Sequence, residues 1–249
     1  MKILDRFYKD SVALNVLAKG ERNIKDVYQA ANKNVVIGVL SKDYDTVKDA
    51  VTSMSDFGSH VDDAISIGLG AGDNRQAKVV SDIAKDYQGS HINQVFTSVG
   101  QTTANTHDTS WVNALVSPTG RVGYVNVSTG PISSEDSEKA VIPIKAAINL
   151  IKDMGGDAIK FFPMSGLDTV EEYKAVAQAC GDMNFGLEPT GGITKENFEE
   201  ILKIALDYHV PKIIPHVYSS IIDKETGLTR IEDVEWLTYK MKQLVDQYE

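Results

Sequence analysis

The chain is poor in cysteine, tryptophan and proline: one, two and seven in 249 residues. A lone Cys180 excludes an internal disulfide framework and any metal centre built from several thiolates. No apolar run approaches the ~20 residues that a helix needs to cross a bilayer. The opening Met1-Lys2-Ile3-Leu4-Asp5-Arg6 carries no long apolar run and no cleavage signature. The chain is therefore expected to be cytoplasmic, with no membrane partner. Basic residues are scarce too: 25 Lys and Arg against 35 Asp and Glu leave a formal charge of -10. With no basic stripe, that field repels nucleic acid. An anionic small molecule remains admissible, because its site needs only a few local donors. No Pro/Ser-rich linker or block of like charge divides the chain, so residues 1–249 read as a single domain.

What is present is alternation. Short apolar, β-branched runs at 35–41, 64–70, 92–99, 112–117, 123–127, 158–162, 185–188 and 212–217 read as eight strands. Helical patterns fill 46–57, 76–87, 137–154, 170–180, 196–208 and 231–248. Continuous apolar runs, rather than strict alternation of polar and apolar, suit parallel strands covered by helices on the outside. Together with a length of 249 residues, this predicts an α/β fold, a (β/α)8 TIM barrel. Residues 12–17 form a ninth strand-like run. It is either an extra strand packed with a helix near 24–31 or a replacement for one of the eight, and residues 1–34 are read as an N-terminal extension. Pro118-Thr119-Gly120 reads as a hairpin turn or as a link between two parallel strands.

Chemistry concentrates in Ala158-Ile159-Lys160-Phe161-Phe162-Pro163 and, one helix later, Gly186-Leu187-Glu188-Pro189-Thr190-Gly191-Gly192. A lysine inside a core strand meets a poor solvent, which disfavours its charged form and lowers its pKa. A neutral, desolvated amine can condense with a ketone. If Lys160 points into the barrel, Ala158 and Phe162 share its face. Glu188 and Thr190 share a face of the next strand for the same reason, which makes Glu188 a candidate acid or base, or an ion-pair partner. The Thr190, Gly191 and Gly192 bend offers backbone N–H groups to a phosphate. The bland alternatives are a snorkelling lysine, a plain turn and a structural carboxylate. What favours chemistry is their order on consecutive strand ends, where barrel enzymes place their sites. His216, in an apolar strand, reads as a satisfied core histidine. His107-Asp108-Thr109-Ser110 reads as a loop. The histidines show no ligand spacing, and no metal is expected. Gly68, Gly70 and Gly72 read as a tight turn.

The Lys-Phe-Phe-Pro strand and Pro189-Thr190-Gly191-Gly192-Ile193 resemble the corresponding segments of the 2-keto-3-deoxy-6-phosphogluconate (KDPG) and 4-hydroxy-2-oxoglutarate aldolases, from about Asp157 to Phe198. The chain looks like the divergent branch of that family linked to glucosaminate catabolism. The resemblance implies a metal-free class I aldolase on a barrel, a trimeric homo-oligomer, no cofactor, and a small phosphorylated keto acid as partner. Lys160 would form the Schiff base, and Thr190, Gly191 and Gly192 would contact substrate. The family's Gly-Gly-Ser phosphate contact is matched by Tyr218-Ser219-Ser220, which keeps serines but not glycines. The family also carries a glutamate and a carboxylate-binding arginine on its second strand. Residues 65–75 are taken as the match; they offer Arg75 and Asp73 but no glutamate, which leaves Glu188 as the expected acid/base. Rival readings are a phosphosugar isomerase or epimerase, with Lys160 as an electrostatic group and Glu188 as base, and a non-catalytic sugar-phosphate-binding barrel.

Overall fold

Runs such as Val35-Val36-Ile37-Gly38-Val39-Leu40 are apolar at every position because each strand has helices on one side and the barrel interior on the other. The computed structural model describes residues 2–106 and 109–248. The elements are β1 (Leu14–Leu17), α1 (Gly20–Ala30), β2 (Val35–Leu40), α2 (Val47–Ser59), β3 (Ile65–Gly68), α3 (Ala77–Asp86), β4 (His91–Val95), α4 (Val99–Thr106), β5 (Trp111–Val116), β6 (Tyr124–Asn126), β7 (Val141–Pro143), α5 (Ile144–Asp153), β8 (Ala158–Phe161), α6 (Val170–Asp182), β9 (Gly186–Pro189), α7 (Phe198–Asp207), β10 (His216–Val217) and α8 (Ile231–Val245).

Eight of these strands run parallel in the order β10-β1-β2-β3-β4-β5-β8-β9. Bridges from Leu187 to Ile213 and from Thr190 to His216 join the two ends, so the sheet closes into the expected barrel. The choice of strands differs from the expectation at two places. The run at 12–17 supplies β1, paired with β2 and β10, so the first 34 residues are not an extension: β1 and α1 are the barrel's first strand and helix. The run at 123–127 leaves the barrel. Ser117 bridges Asn126 antiparallel, and β6 pairs antiparallel with β7, so Pro118-Thr119-Gly120 is a hairpin turn. Buried Glu172 on α6 pins that turn by accepting from the Thr119 and Gly120 N–H groups at 2.7 and 3.1 Å. The run at 92–99 stops as a strand at Val95 and turns through a 3-10 segment into α4. Val99-Gly100-Gln101-Thr102-Thr103-Ala104-Asn105-Thr106 has low helix propensity, which is why sequence alone does not mark it as helical.

The interior has a floor. Ile3, Phe7, Ala13, Val36, Trp111, Ala158 and Ile214 form a separate buried cluster, with the Phe7 and Trp111 rings 5.8 Å apart. The N-terminal 3-10 turn Lys2–Arg6 helps to plug that end. The larger core lies between the strands and the helices and includes Ile159 and Phe161, the latter stacked on Tyr173. Among the described residues no helix is long and apolar enough to cross a membrane.

Candidate active site

Ala13, Trp111, Ala158 and Ile214 of the floor are each followed two residues on by a polar side chain, Asn15, Asn113, Lys160 and His216. Asn15, Ser66, His91, Asn93, Asn113, Lys160, Glu188 and His216 are all buried inside the barrel. Parallel register sets them side by side: Lys160 is opposite Glu188, Asn93 opposite Asn113, and Asn15 opposite His216. Burial forces these groups to satisfy one another.

Lys160 points inward, with Ala158 below it in the floor and Phe162 above it at the rim. Its ammonium donates to Asn93 Oδ1 and His216 Nδ1, both at 2.8 Å. Burial drives the amine from an ordinary value near 10.5 down to about 7, against the opposing charge of Glu188. Near neutrality, a sizeable fraction of the amine is therefore unprotonated.

Glu188 is completely buried. Its Oε1 accepts from His91 Nε2 and Trp111 Nε1, both at 2.9 Å. Its Oε2 accepts from Asn113 Nδ2 at 2.6 Å and from His216 Nε2 at 2.8 Å. Burial works to raise this carboxyl, but the two histidines outweigh it and hold Glu188 below the usual carboxylate range.

The tautomers follow from the network. Ser66 Oγ accepts from Asn15 Nδ2 and Asn93 Nδ2, so its one proton goes to His91 Nδ1, leaving His91 to donate from Nε2. His216 accepts from Lys160 at Nδ1 and donates to Glu188 from Nε2. Burial and the adjacent Lys160 charge push the His216 imidazole down to about 3, with Glu188 opposing. His91, Glu188 and His216 bring three metal-ligating atoms within 4.8 Å of one another, yet the His–Glu contacts are direct hydrogen bonds.

Above this layer opens a cavity of about 320 Å3. Its wall includes Lys42, Asn93, Lys160, Thr190, His216 and Tyr218, with the backbone of Gly70, Gly72, Gly191 and Gly192. Gly191 and Gly192 have φ of 100° and 71°, and a Cβ on Gly192 would stand 2.4 Å from the Gly166 nitrogen, so the bend requires glycine there. Among the described residues neither glycine N–H donates to an acceptor of the chain.

A family profile described as KDGP aldolase matches residues 8–225. The chain belongs to the KDGP aldolase family. It is 43% identical over 244 residues to a "2-dehydro-3-deoxy-phosphogluconate aldolase" of Salmonella typhimurium (strain 14028s / SGSC 2262), spanning 96% of this chain and 98% of that relative. Solved structures share its fold. One described as "Native KDPGal structure" has TM-score 0.56 at 11% identity over 95% of each chain. A tryptophan synthase α-subunit from Pyrococcus furiosus has TM-score 0.55 at 13% identity, over 95% of this chain and 98% of that one.

Within this KDGP aldolase barrel the expected site residues separate into two groups. Lys160, Thr190, Gly191, Gly192 and Ser219 line the cavity. Glu188, Asp73, Arg75 and Ser220 do not. Glu188, the expected acid/base, lies beneath the cavity with both oxygens hydrogen-bonded within the chain, so it does not line the substrate space; it is linked to Lys160 through His216 and through Asn113 and Asn93. Arg75 is spent on Asp73 through two 2.8 Å contacts and is 83% exposed. Ser220 donates to the Ile193 carbonyl at 2.8 Å, which leaves it no proton for an anion. The strand containing 65–68 is the third of the barrel, not the second. The second, β2, has Gly38 where Tyr218 fills the interior: a Cβ there would be 2.3 Å from the phenol oxygen. Beyond its end stands Lys42, which makes no ion pair among the described residues.

Sequence reasoning also missed His216, Tyr218, Asn93 and Lys42. His216 and Tyr218 share the inward face at spacing two in the last strand run, the same signal that located Lys160. Gly70 and Gly72, read as turn residues, have positive φ and also line the cavity.

Proposed function

We propose that the protein is a class I aldolase that cleaves KDPG, or a related 2-keto-4-hydroxy acid, to pyruvate and glyceraldehyde 3-phosphate. One observation carries the reading: a buried amine, lowered to about 7, faces an open cavity at the C-terminal end of a barrel strand. The name of the Salmonella relative points to the same substrate.

Lys160 Nζ attacks the C2 ketone, and loss of water gives the imine. The protonated imine draws the electrons of the C3–C4 bond, and glyceraldehyde 3-phosphate leaves. Protonation of the enamine and hydrolysis then free pyruvate. The resemblance expects a carboxylate-binding cation on the second strand, and Lys42 follows that strand here. We therefore assign the carboxylate to Lys42. The phosphate is assigned to the Gly191 and Gly192 N–H groups with Ser219, and Thr190 contacts substrate beside them. We read the enzyme as a cytoplasmic trimer. Exposed Val122, Ile132 and Val141, on or near the β6–β7 hairpin, offer apolar surface for assembly.

The test is pyruvate release from phosphorylated and unphosphorylated 2-keto-3-deoxygluconate, together with borohydride reduction in the presence of pyruvate. The expected result is cleavage and a stable adduct on Lys160. Turnover without an adduct would favour an isomerase-like role for Lys160.

A further inference from the structure

Cleavage through an imine needs a group that accepts and returns protons at the reacting atoms. The expected carboxylate is sealed below the cavity, and Asp73 is tied to Arg75 outside it. The cavity wall next to Lys160 offers one imidazole and one phenol. Burial raises the Tyr218 phenol, its hydroxyl donates to Asn15 Oδ1 at 2.7 Å, and its ring stacks on His216. A phenol that donates to a fixed acceptor is poorly placed to take a proton. His216 is the opposite case. Its Nδ1 carries a lone pair, lies 2.8 Å from the reacting amine, and belongs to a ring that lines the cavity. Its Nε2–H is fixed on a carboxylate that four donors hold ionised.

We propose that His216 is the acid–base group of this aldolase, exchanging protons at Nδ1, and that Glu188 is a positioning residue that holds the imidazole and stabilises it when protonated. The proposal rests on the Schiff-base reading above. In the forward direction the unprotonated Lys160 amine adds to C2, and Nδ1 carries a proton from the adding nitrogen to the carbinolamine oxygen. A further proton from solvent lets that oxygen leave as water, giving the iminium. Nδ1 then takes the C4 hydroxyl proton while the C3–C4 electron pair moves into the iminium, and the aldehyde departs. The imidazolium gives the proton to C3 of the enamine, and the resulting pyruvyl imine is hydrolysed. The sequence is redox-neutral and needs no co-reactant besides water. Nucleophile, base and orienting carboxylate thus come from β8, β10 and β9, the logic of an oriented base serving a nucleophile.

Groups from five parts of the barrel face the ring. Lys160 faces it from β8, Glu188 from β9, Tyr218 from the residues just after β10, Asn15 from β1, and His91 from β4 at 5.9 Å between ring centroids. Cleavage turns the Lys160 iminium into a neutral enamine, which removes the cation that opposes protonation of His216 in the step in which Nδ1 takes the proton. The buried Glu188 charge, which favours the imidazolium, remains.

The experiment compares His216→Gln with the parent enzyme. Glutamine can still accept from Lys160 and donate to Glu188, but it cannot shuttle a proton. Three readouts are taken: the borohydride-trapped pyruvate adduct, exchange of the pyruvate methyl protons in D2O followed by NMR, and KDPG cleavage. The expected result is an adduct at equilibrium with exchange and cleavage both slower by about 10²- to 10⁴-fold. Glu188→Gln should likewise depress exchange relative to adduct, a split that a purely structural role would not produce. Exchange within about threefold of the parent in folded His216→Gln would overturn the proposal. Tyr218→Phe supplies an independent arm: a loss of exchange as large as that expected for His216 would place the proton on the phenol. Failure of the parent itself to trap pyruvate would instead strike at the Schiff-base reading.

Discussion

Two residues along each strand separate the floor of the barrel from its centre. On the floor, Ala13, Trp111, Ala158 and Ile214 pack with Ile3, Phe7 and Val36. The next inward positions on the same four strands are Asn15, Asn113, Lys160 and His216, all buried. The floor is governed by packing and water exclusion. The centre is governed by the cost of leaving a buried polar atom without a partner. Among the described residues only Arg6 Nε lacks one, so the centre is fully paired. The comparison shows how the amine is tuned. A dry floor stops water from solvating Lys160 from below, while the centre supplies two hydrogen-bond acceptors and a buried carboxylate one residue away. Desolvation wins, and the amine falls to about 7.

The sharpest test of that division is Lys160→Met, which should abolish cleavage by at least about 10³-fold while leaving the floor intact. In the parent enzyme kcat/KM should rise with pH up to about 7, where the free amine becomes the major form, and then level off. Folded Lys160 also binds fewer protons than the unfolded chain between about 7 and 10.5. Its contribution to stability therefore rises with pH through that window, and denaturation of Lys160→Met should lack that component of the rise.

Glu188→Gln turns an amide N–H toward donors in the centre and should cost about 3–5 kcal/mol in denaturant unfolding. Because the Glu188 charge raises the Lys160 value, its removal should also move the acid limb of the rate profile to lower pH. An unshifted limb would mean the two charges do not communicate. On the floor, Ile214→Ala should cost about 2–5 kcal/mol of stability, with activity per folded molecule changed less than about threefold. A selective loss of kcat there would break the separation of floor from centre. At the rim, Lys42→Met should raise KM by about 10- to 100-fold with a smaller change in kcat. Arg75→Ala should do least, within about threefold, because its guanidinium is exposed and paired outside the cavity. A loss as large as that for Lys42 would return Arg75 to the site.

Much of the fold was readable because parallel strands and their covering helices leave a strong local pattern. Residues 158–162 and 185–188 had both the right character and the right spacing, and the inward direction of Lys160 followed from its two neighbours on the same face. The run at 12–17 and the run at 123–127 look alike locally. Only pairing with β2 and β10 made the first a barrel strand, and only the turn at Pro118-Thr119-Gly120 turned the second away. Arg75 illustrates the same limit in the site. It follows a barrel strand closely, but its side chain found Asp73 two residues away, a local bond that no strand count reveals. His216 was read as a core histidine because its partners stand 56 and 28 residues away in sequence.

The sequence by itself determined the alternation of strands and helices, the desolvated lysine and the glycine bend, because each depends on neighbours within a few residues. Which strand opens the barrel, which cation faces the cavity, and how Lys160, His216 and Glu188 connect were decided by closure of the sheet. Closure sets the register between distant strands, and register chooses which buried polar groups must satisfy one another.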